Sequence, residues 1–222
     1  MSQDKEVYLQ PSELCDFDQH PEIRRKALEL TSDCQSEKDR FQNIFAFVKE
    51  LLYGLEDWDV RASETLSKGW GMCSGKTNLL VAMLRSVGIP ARYRVFRIKG
   101  EIKLWEWAIK SKELSQLLGT APLQQNHVDC EVWLGAWLNC DPSRDTPLER
   151  GMLTLGIPLE REPLADESGR IYTFLSSFDK WAKERQQKRR FRDNRDEIFT
   201  IVNERFQQIR ALGKGGYGIE AI

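Results

Sequence analysis

No stretch of about 18 consecutive apolar residues occurs in this 222-residue chain, so nothing in it has the length to cross a bilayer as a helix. Neither sign of charge is in excess. The formal net charge is −1, from 33 basic and 34 acidic side chains, which gives no argument for nucleic acid or an anionic membrane as partner. Histidine is scarce, with only His20 and His127, and C-x-x-C does not occur, so a zinc site has no local ligand set to draw on. Calcium-loop spacing of the EF-hand kind is missing too. The five cysteines, at 15, 34, 73, 130 and 140, form neither metal-ligand pairs nor an even disulfide set. Residues 1–6 are polar and lack the apolar centre of a signal peptide. A cytoplasmic, reducing compartment is the expectation, with no cofactor and no metal.

What is present is ordinary for a globular chain: 41% hydrophobic and 30% charged residues, enough for one domain with an appendage. Its chemistry gathers at Gly69-Trp70-Gly71-Met72-Cys73-Ser74-Gly75-Lys76-Thr77, which runs into the apolar series Leu79-Leu80-Val81-Ala82-Met83-Leu84. The glycines permit a sharp turn, and the series after them predicts a buried helix with Cys73 at its start. There the helix dipole and unpaired N–H groups favour an anion, and the expectation is a thiol pKa shifted down. A buried structural cysteine is the bland alternative. The partners available downstream decide against it.

Those partners lie in residues 126–143, Asn-His-Val-Asp-Cys-Glu-Val-Trp-Leu-Gly-Ala-Trp-Leu-Asn-Cys-Asp-Pro-Ser. Aromatic and β-branched residues interrupted at Gly135-Ala136 predict a β-hairpin. With a three-residue loop (134–136), Trp133 faces Trp137, Asp129 faces Asp141, and His127 is a diagonal neighbour of Asp141 on the same face. A two-residue loop would place Asp141 on the opposite face. A nucleophile, base and orienter therefore require the odd loop or an equivalent bulge. By the same alternation, Cys130 points away from His127 and Cys140 away from Asp141, as small core residues.

The Gly-x-Gly-x-Cys leading into Leu-Leu-x-Ala-x-Leu-Arg-x-x-Gly-Ile-Pro-Ala-Arg (69–92), then His-Val-x-x-Glu-Val-Trp and Asp-Pro-Ser, resembles the transglutaminase-like core. Residues 62–66 fit as well, and the likeness covers about 40–145. It implies an α+β, papain-like fold in which a helix bearing the cysteine packs on an antiparallel sheet bearing His and Asp. N-terminal helices precede that core and a C-terminal helical extension follows it. The resemblance makes Cys73 the nucleophile, His127 the base and acid, and Asp141 the orienter. Trp58 is the nearest candidate for the tryptophan that animal transglutaminases place at the oxyanion. Trp70 is a second oxyanion or substrate-binding candidate. The paired cysteines of a structural zinc, expected in the related peptide N-glycanases, are absent from this sequence.

Around that core, residues 7–17 read as an extended lead-in and 21–30 as a first helix with Pro21 in its first turn. Ser36-Glu37-Lys38-Asp39 resembles a capping box before the apolar stripe Phe41, Ile44, Phe45, Val48, Leu51 and Leu52. Glu56-Asp57-Trp58-Asp59 reads as a solvated acidic loop, where glycosidase chemistry is the lesser alternative. Residues 92–98 alternate as a strand. Between 100 and 126, Trp105, Trp107 and a helix-like 110–118 form a cover or a cleft wall. Residues 150–170 read as an ordered loop with short strands. The expected division is a catalytic domain over 1–175 and a basic helical extension over 176–222 ending in a mobile tail.

Lys180, Lys183, Arg185, Lys188, Arg189, Arg190, Arg192 and Arg195 of the extension are interleaved with Asp179, Glu184, Asp193, Asp196 and Glu197. They read first as a solvated face and second as a surface for an acidic partner protein, with nucleic acid disfavoured. The expected function is cysteine-dependent acyl transfer on an amide carbonyl of a peptide, protein or other amide, through a thioester. Water is the first-choice acceptor, since the chain lacks the flanking β-sandwich domains of animal transglutaminases. A protein-glutamine transglutaminase using an amine acceptor and a non-catalytic protein-binding module are the alternatives.

Overall fold

The computed structural model describes residues 3–99, 124–188 and 195–215. The segment with Trp105, Trp107 and 110–118 lies outside the described residues, as do Arg189, Arg190, Arg192 and the tail from 216. The organising element is α4 (Cys73–Ser86), in which every residue from Cys73 to Arg85 is buried. A helix with no solvated face belongs in the centre of a core, and here it is surrounded. In front of it stand α1 (Pro21–Thr31), α2 (Glu37–Glu50) and α3 (Ala62–Lys68). Behind it lies a sheet of β3 (Ala91–Lys99), β4 (Gln124–Trp133), β5 (Trp137–Cys140), β6 (Pro163–Leu164) and β7 (Thr173–Leu175). The strand order is β5-β4-β3-β6, with β7 also on β3, and every pairing in this sheet is antiparallel.

Two cations of α4 are buried with it and tie the layers together. Lys76 donates to the carbonyls of Lys49 at 3.0 Å and Leu51 at 2.6 Å, closing the C-terminus of α2 where carbonyls lack helical partners. Arg85 donates to the carbonyls of Gln10, Ala91 and Ser176, fixing three separate segments against one helix end. The start of α2 is capped by Ser36, whose hydroxyl accepts from the Asp39 N–H at 3.1 Å, while Asp39 accepts from that hydroxyl.

The lead-in differs from the expected extended chain. Residues Gln3–Leu9 wind into a 3-10 helix, and Tyr8 thereby sets its ring edge against Trp137 at 5.2 Å. Residues 150–170 also hold more structure than the turn residues announced. The chain forms α5 (Thr146–Thr154), with Asp145 as its N-cap and Pro147 in its first turn. Of the glycines and prolines that suggested a loop, Gly151 lies inside the helix, Gly156 follows its end, Pro163 opens β6 and Gly169 sits in a later turn. At Gly151 the missing Cβ lets α7 (Arg195–Gly213) approach backbone to backbone, because a side chain would overlap the Ile209 carbonyl. Ile198, Val202, Phe206 and Ile209 of α7 close a second apolar cluster with Leu148, Met152 and Ile157. Gly213, expected in a mobile tail, ends α7 against the Pro147 carbonyl. Helix α6 (Asp179–Gln187) places Phe178 and Ala182 in the main core. Among the described residues, no helix is long and apolar enough to cross a membrane.

Candidate active site

Cys73 is the first residue of α4, delivered by a short parallel ladder of β1 (Leu52–Tyr53) and β2 (Trp70–Gly71), in which Tyr53 pairs with Gly71. Gly69, at φ 72°, ends α3 in the left-handed region and turns the chain into β2. The glycines on either side of the cysteine have a packing reason. Glu56 lies beneath the helix start and accepts from the Met72 N–H at 2.8 Å, and a Cβ on Gly75 would stand 2.5 Å from its Oε1. Glu56 is 6% exposed and ion-paired with Lys68, so the expectation of a solvated acidic loop fails at this residue. Burial raises its pKa against the pull of Lys68.

On the other side, β4 and β5 pair Trp133 with Trp137 and Cys130 with Cys140. The connection is the three-residue loop Leu134-Gly135-Ala136, closed by Leu134 N–H to the Ala136 carbonyl, with Gly135 at φ 87°. The odd loop puts His127 and Asp141 on one face, and His127 Nε2 lies 3.0 Å from Asp141 Oδ2. Asp141 is fixed from behind by the Ser143 N–H at 2.9 Å and by the Ser143 hydroxyl, both on Oδ1. Arg161 donates to Oδ2, the oxygen that also meets the imidazole. The His127 ring packs edge-on to Phe96, its cross-strand partner, at 5.2 Å.

Helix and hairpin meet at Val128, the residue after His127. Its carbonyl accepts from Thr77 Oγ1 at 3.3 Å, and its backbone N–H helps pull the Cys73 thiol pKa down. Cys73 and His127 are both buried, at 4% exposure each. This environment reverses the expected thiol shift. Burial pushes the Cys73 thiol up to about 12, outweighing the bonds from Val128 and Ser74 and the charge of Arg161. His127 moves down, chiefly through burial and then through Arg161. The resting pair is therefore a neutral thiol and a neutral imidazole. With Nε2–H directed at Asp141, Nδ1 is the lone-pair nitrogen.

Three neighbours escaped the sequence reading. Tyr53 is held at its backbone by Asp145 and Arg210. Its phenol pKa is raised by burial and next by the charge of Cys73, so it stays a hydrogen-bond donor at neutral pH. Arg161 sits 20 residues past Asp141 in a stretch without periodicity. Glu56 lies in what read as a loop. The Gly-x-x-x-Gly around Cys73 was a signal for a large group packed beneath it. The oxyanion candidates occupy separate places: Trp58 packs at 5.2 Å on Trp181, and Trp70 lies under the Lys68 ammonium at 4.4 Å.

His127, Asp129 and Asp141 bring donor atoms within 4.8 Å of one another, the spacing of a metal site. Their lone pairs are already engaged by cations. Both Asp129 oxygens accept from Arg94, at 2.8 and 2.6 Å, and Asp141 has Arg161. Burial, offset in part by Arg94, leaves the Asp129 carboxyl at about 6, ionised at neutral pH. A dication would have to displace two guanidiniums, so the donor set does not fit one.

Comparison with known proteins matches residues 24–142 to the family model described as Transglutaminase-like superfamily. An uncharacterized protein of Mycobacterium leprae (strain TN) is 26% identical over 109 residues, which is 49% of this chain and 34% of that relative. The chain thus spans about a third of the length of the curated relative it matches. A crystal structure from Cytophaga hutchinsonii, titled as that of a candidate cysteine protease, aligns with a TM-score of 0.46 and 20% identity. The alignment covers 67% of this chain and 45% of that one. The α+β arrangement, helices against a curled antiparallel sheet, is that of the matched family.

Proposed function

This chain belongs to the transglutaminase-like superfamily, and we propose that it is a cysteine-dependent enzyme transferring the acyl group of an amide through a thioester on Cys73, with water as the first-choice acceptor. One observation carries the reading. The His127–Asp141 pair, 3.0 Å apart, lies beside Val128, whose carbonyl accepts from Thr77 at 3.3 Å on the helix that Cys73 opens.

The steps follow from the proton inventory. His127 Nδ1 takes the Cys73 proton as the sulfur attacks the carbonyl carbon, and Asp141 stabilises the imidazolium that forms. The carbonyl oxygen becomes an oxyanion, which the Cys73 backbone N–H at the helix start and the Tyr53 phenol serve as donors. Collapse expels the amine, protonated from Nδ1, and leaves the thioester. Water then attacks with Nδ1 accepting its proton, the carboxylic acid departs and the thiol is restored. An amine in place of water would give a transglutaminase product by the same steps.

A second reading, a non-catalytic protein-binding module, is favoured by one fact: a thiol raised to about 12 and 4% exposed is inert at rest. Profiling the protein against a peptide and amine library, alongside Cys73→Ala, separates the two. The enzyme reading expects turnover of some amide that vanishes in Cys73→Ala. Equal turnover in both proteins overturns Cys73 as nucleophile, and no turnover of any amide supports the module.

A further inference from the structure

Behind the site, on the core side of the hairpin, Cys130 of β4 and Cys140 of β5 are directly opposed. Their sulfurs are 3.3 Å apart, and each also approaches the other's carbonyl, at 3.7 and 3.5 Å. Directly opposed antiparallel residues have Cα atoms roughly 4.5 or 5.5 Å apart, and both values fall within the range a disulfide spans. Both thiols are free. The acyl-transfer chemistry uses neither.

We propose that Cys130 and Cys140 form a reversible thiol–disulfide site that reacts with small-molecule disulfides and alters the setting of Asp141. The Cys140 thiolate attacks one sulfur of the small disulfide and its other half leaves as a thiolate. Cys130 then attacks the mixed disulfide at the Cys140 sulfur, expelling the second half. Two protein thiols are oxidised, one disulfide is reduced to two thiols, and the two protons given up by the protein end on the leaving groups.

Access comes from the position of β5. Among the described residues it is a four-residue edge strand paired only to β4, and Leu138 at its middle is 46% exposed. Local opening of such an edge costs far less than global unfolding and brings Cys140 to solvent. Cys130 cannot move as readily, since β4 is flanked by β3 and packed on α4 through Thr77. Bond formation draws the sulfurs from 3.3 Å to about 2.05 Å, and that displacement falls mainly on β5. Asp141 is the next residue. The disulfide itself is independent of the proposed function; only the effect on Cys73 acylation rests on it.

The full chain is incubated with oxidised glutathione, denatured, blocked with N-ethylmaleimide and mapped by mass. The expected result is loss of two maleimide adducts, a 130–140 linked peptide and full reversal by dithiothreitol. Cys73→Ser should give the same result, and Cys140→Ser should give no linked peptide. Five adducts after oxidation, or linkage among Cys15, Cys34 and Cys73, overturns the site. The coupling is read separately as the His127 imidazole titration by NMR, which should shift on oxidation, and as Cys73 acylation, which should slow by about tenfold or more. A linked pair with an unchanged His127 titration overturns the coupling. Failure of acylation in reduced protein as well counts against the acyl-transfer reading instead.

Discussion

His127 and Arg161 meet the same atom, Oδ2 of Asp141. Burial works against that carboxylate, yet the charges of His127 and Arg161, with the hydrogen bonds of His127 and Ser143, hold its pKa well below the usual range. An orienting Asp that answers only the imidazole would raise the basicity of the ring. Sharing it with a guanidinium divides that effect and keeps the ring neutral at rest.

Arg161→Gln should move the His127 titration upward. Burial is the largest cause of the lowered pKa and Arg161 the next, so removing the cation makes the imidazolium easier to form. NMR titration of the ring in the variant and the parent reads the direction. A fall, or no change, would separate Arg161 from the pair.

Tyr53→Phe keeps the ring that packs on Phe206 at 5.3 Å and removes only the hydroxyl. As an oxyanion donor, its loss should cost roughly a hundredfold in kcat, with little change in Tm. Unchanged kcat on the same amide would leave the oxyanion to the Cys73 N–H.

Asp141→Asn should lower turnover by about a hundredfold or more, because an amide can present N–H to the ring and disturb its tautomer. The structure adds a cost of about 1–3 kcal/mol, since Arg161, 16% exposed, loses its carboxylate. Rate and melt are measured on one preparation, and near-normal turnover would reduce Asp141 to a turn former.

Lys76 makes stability depend on pH. Burial brings its pKa down from 10.5 to about 7, against the opposing pull of Asp145. Between those values the unfolded chain binds the proton that the folded chain has released. Stability from this group therefore rises with pH from about 7 upward and is lowest below 7. Urea melts should show a gain approaching about 1 kcal/mol from pH 7 to 8, absent from Lys76→Met. Parallel pH profiles for the two proteins would contradict the shift.

Much of this was legible in residue order. Residues 92–98 alternated and lie within β3, the apolar series after Cys73 is the buried helix, and the need to bring His127 beside Asp141 selected the loop that the hairpin has. Periodicity and turn chemistry are local, so they survive reading without a structure. The thiol pKa was misjudged because it depends on how deeply α4 is enclosed, which only folding sets. Arg161 and Tyr53 were invisible for the same reason: each reaches the site across loops, and no spacing rule encodes that approach. Helix α5 had its signals, Asp145 and Pro147, but the nearby glycines masked them.

The central claim, that Cys73 is a nucleophile served by His127, is tested most directly by acylation with an activated ester, followed by acid quench and peptide mapping. Cys34 is only half-buried and serves as an internal control for simple exposure. The account predicts an acyl group on Cys73 ahead of Cys34, decaying in water, absent in Cys73→Ser and slowed about a hundredfold or more in His127→Ala. Acyl groups on Cys34 with Cys73 unmodified, or equal Cys73 rates with and without His127, would contradict it.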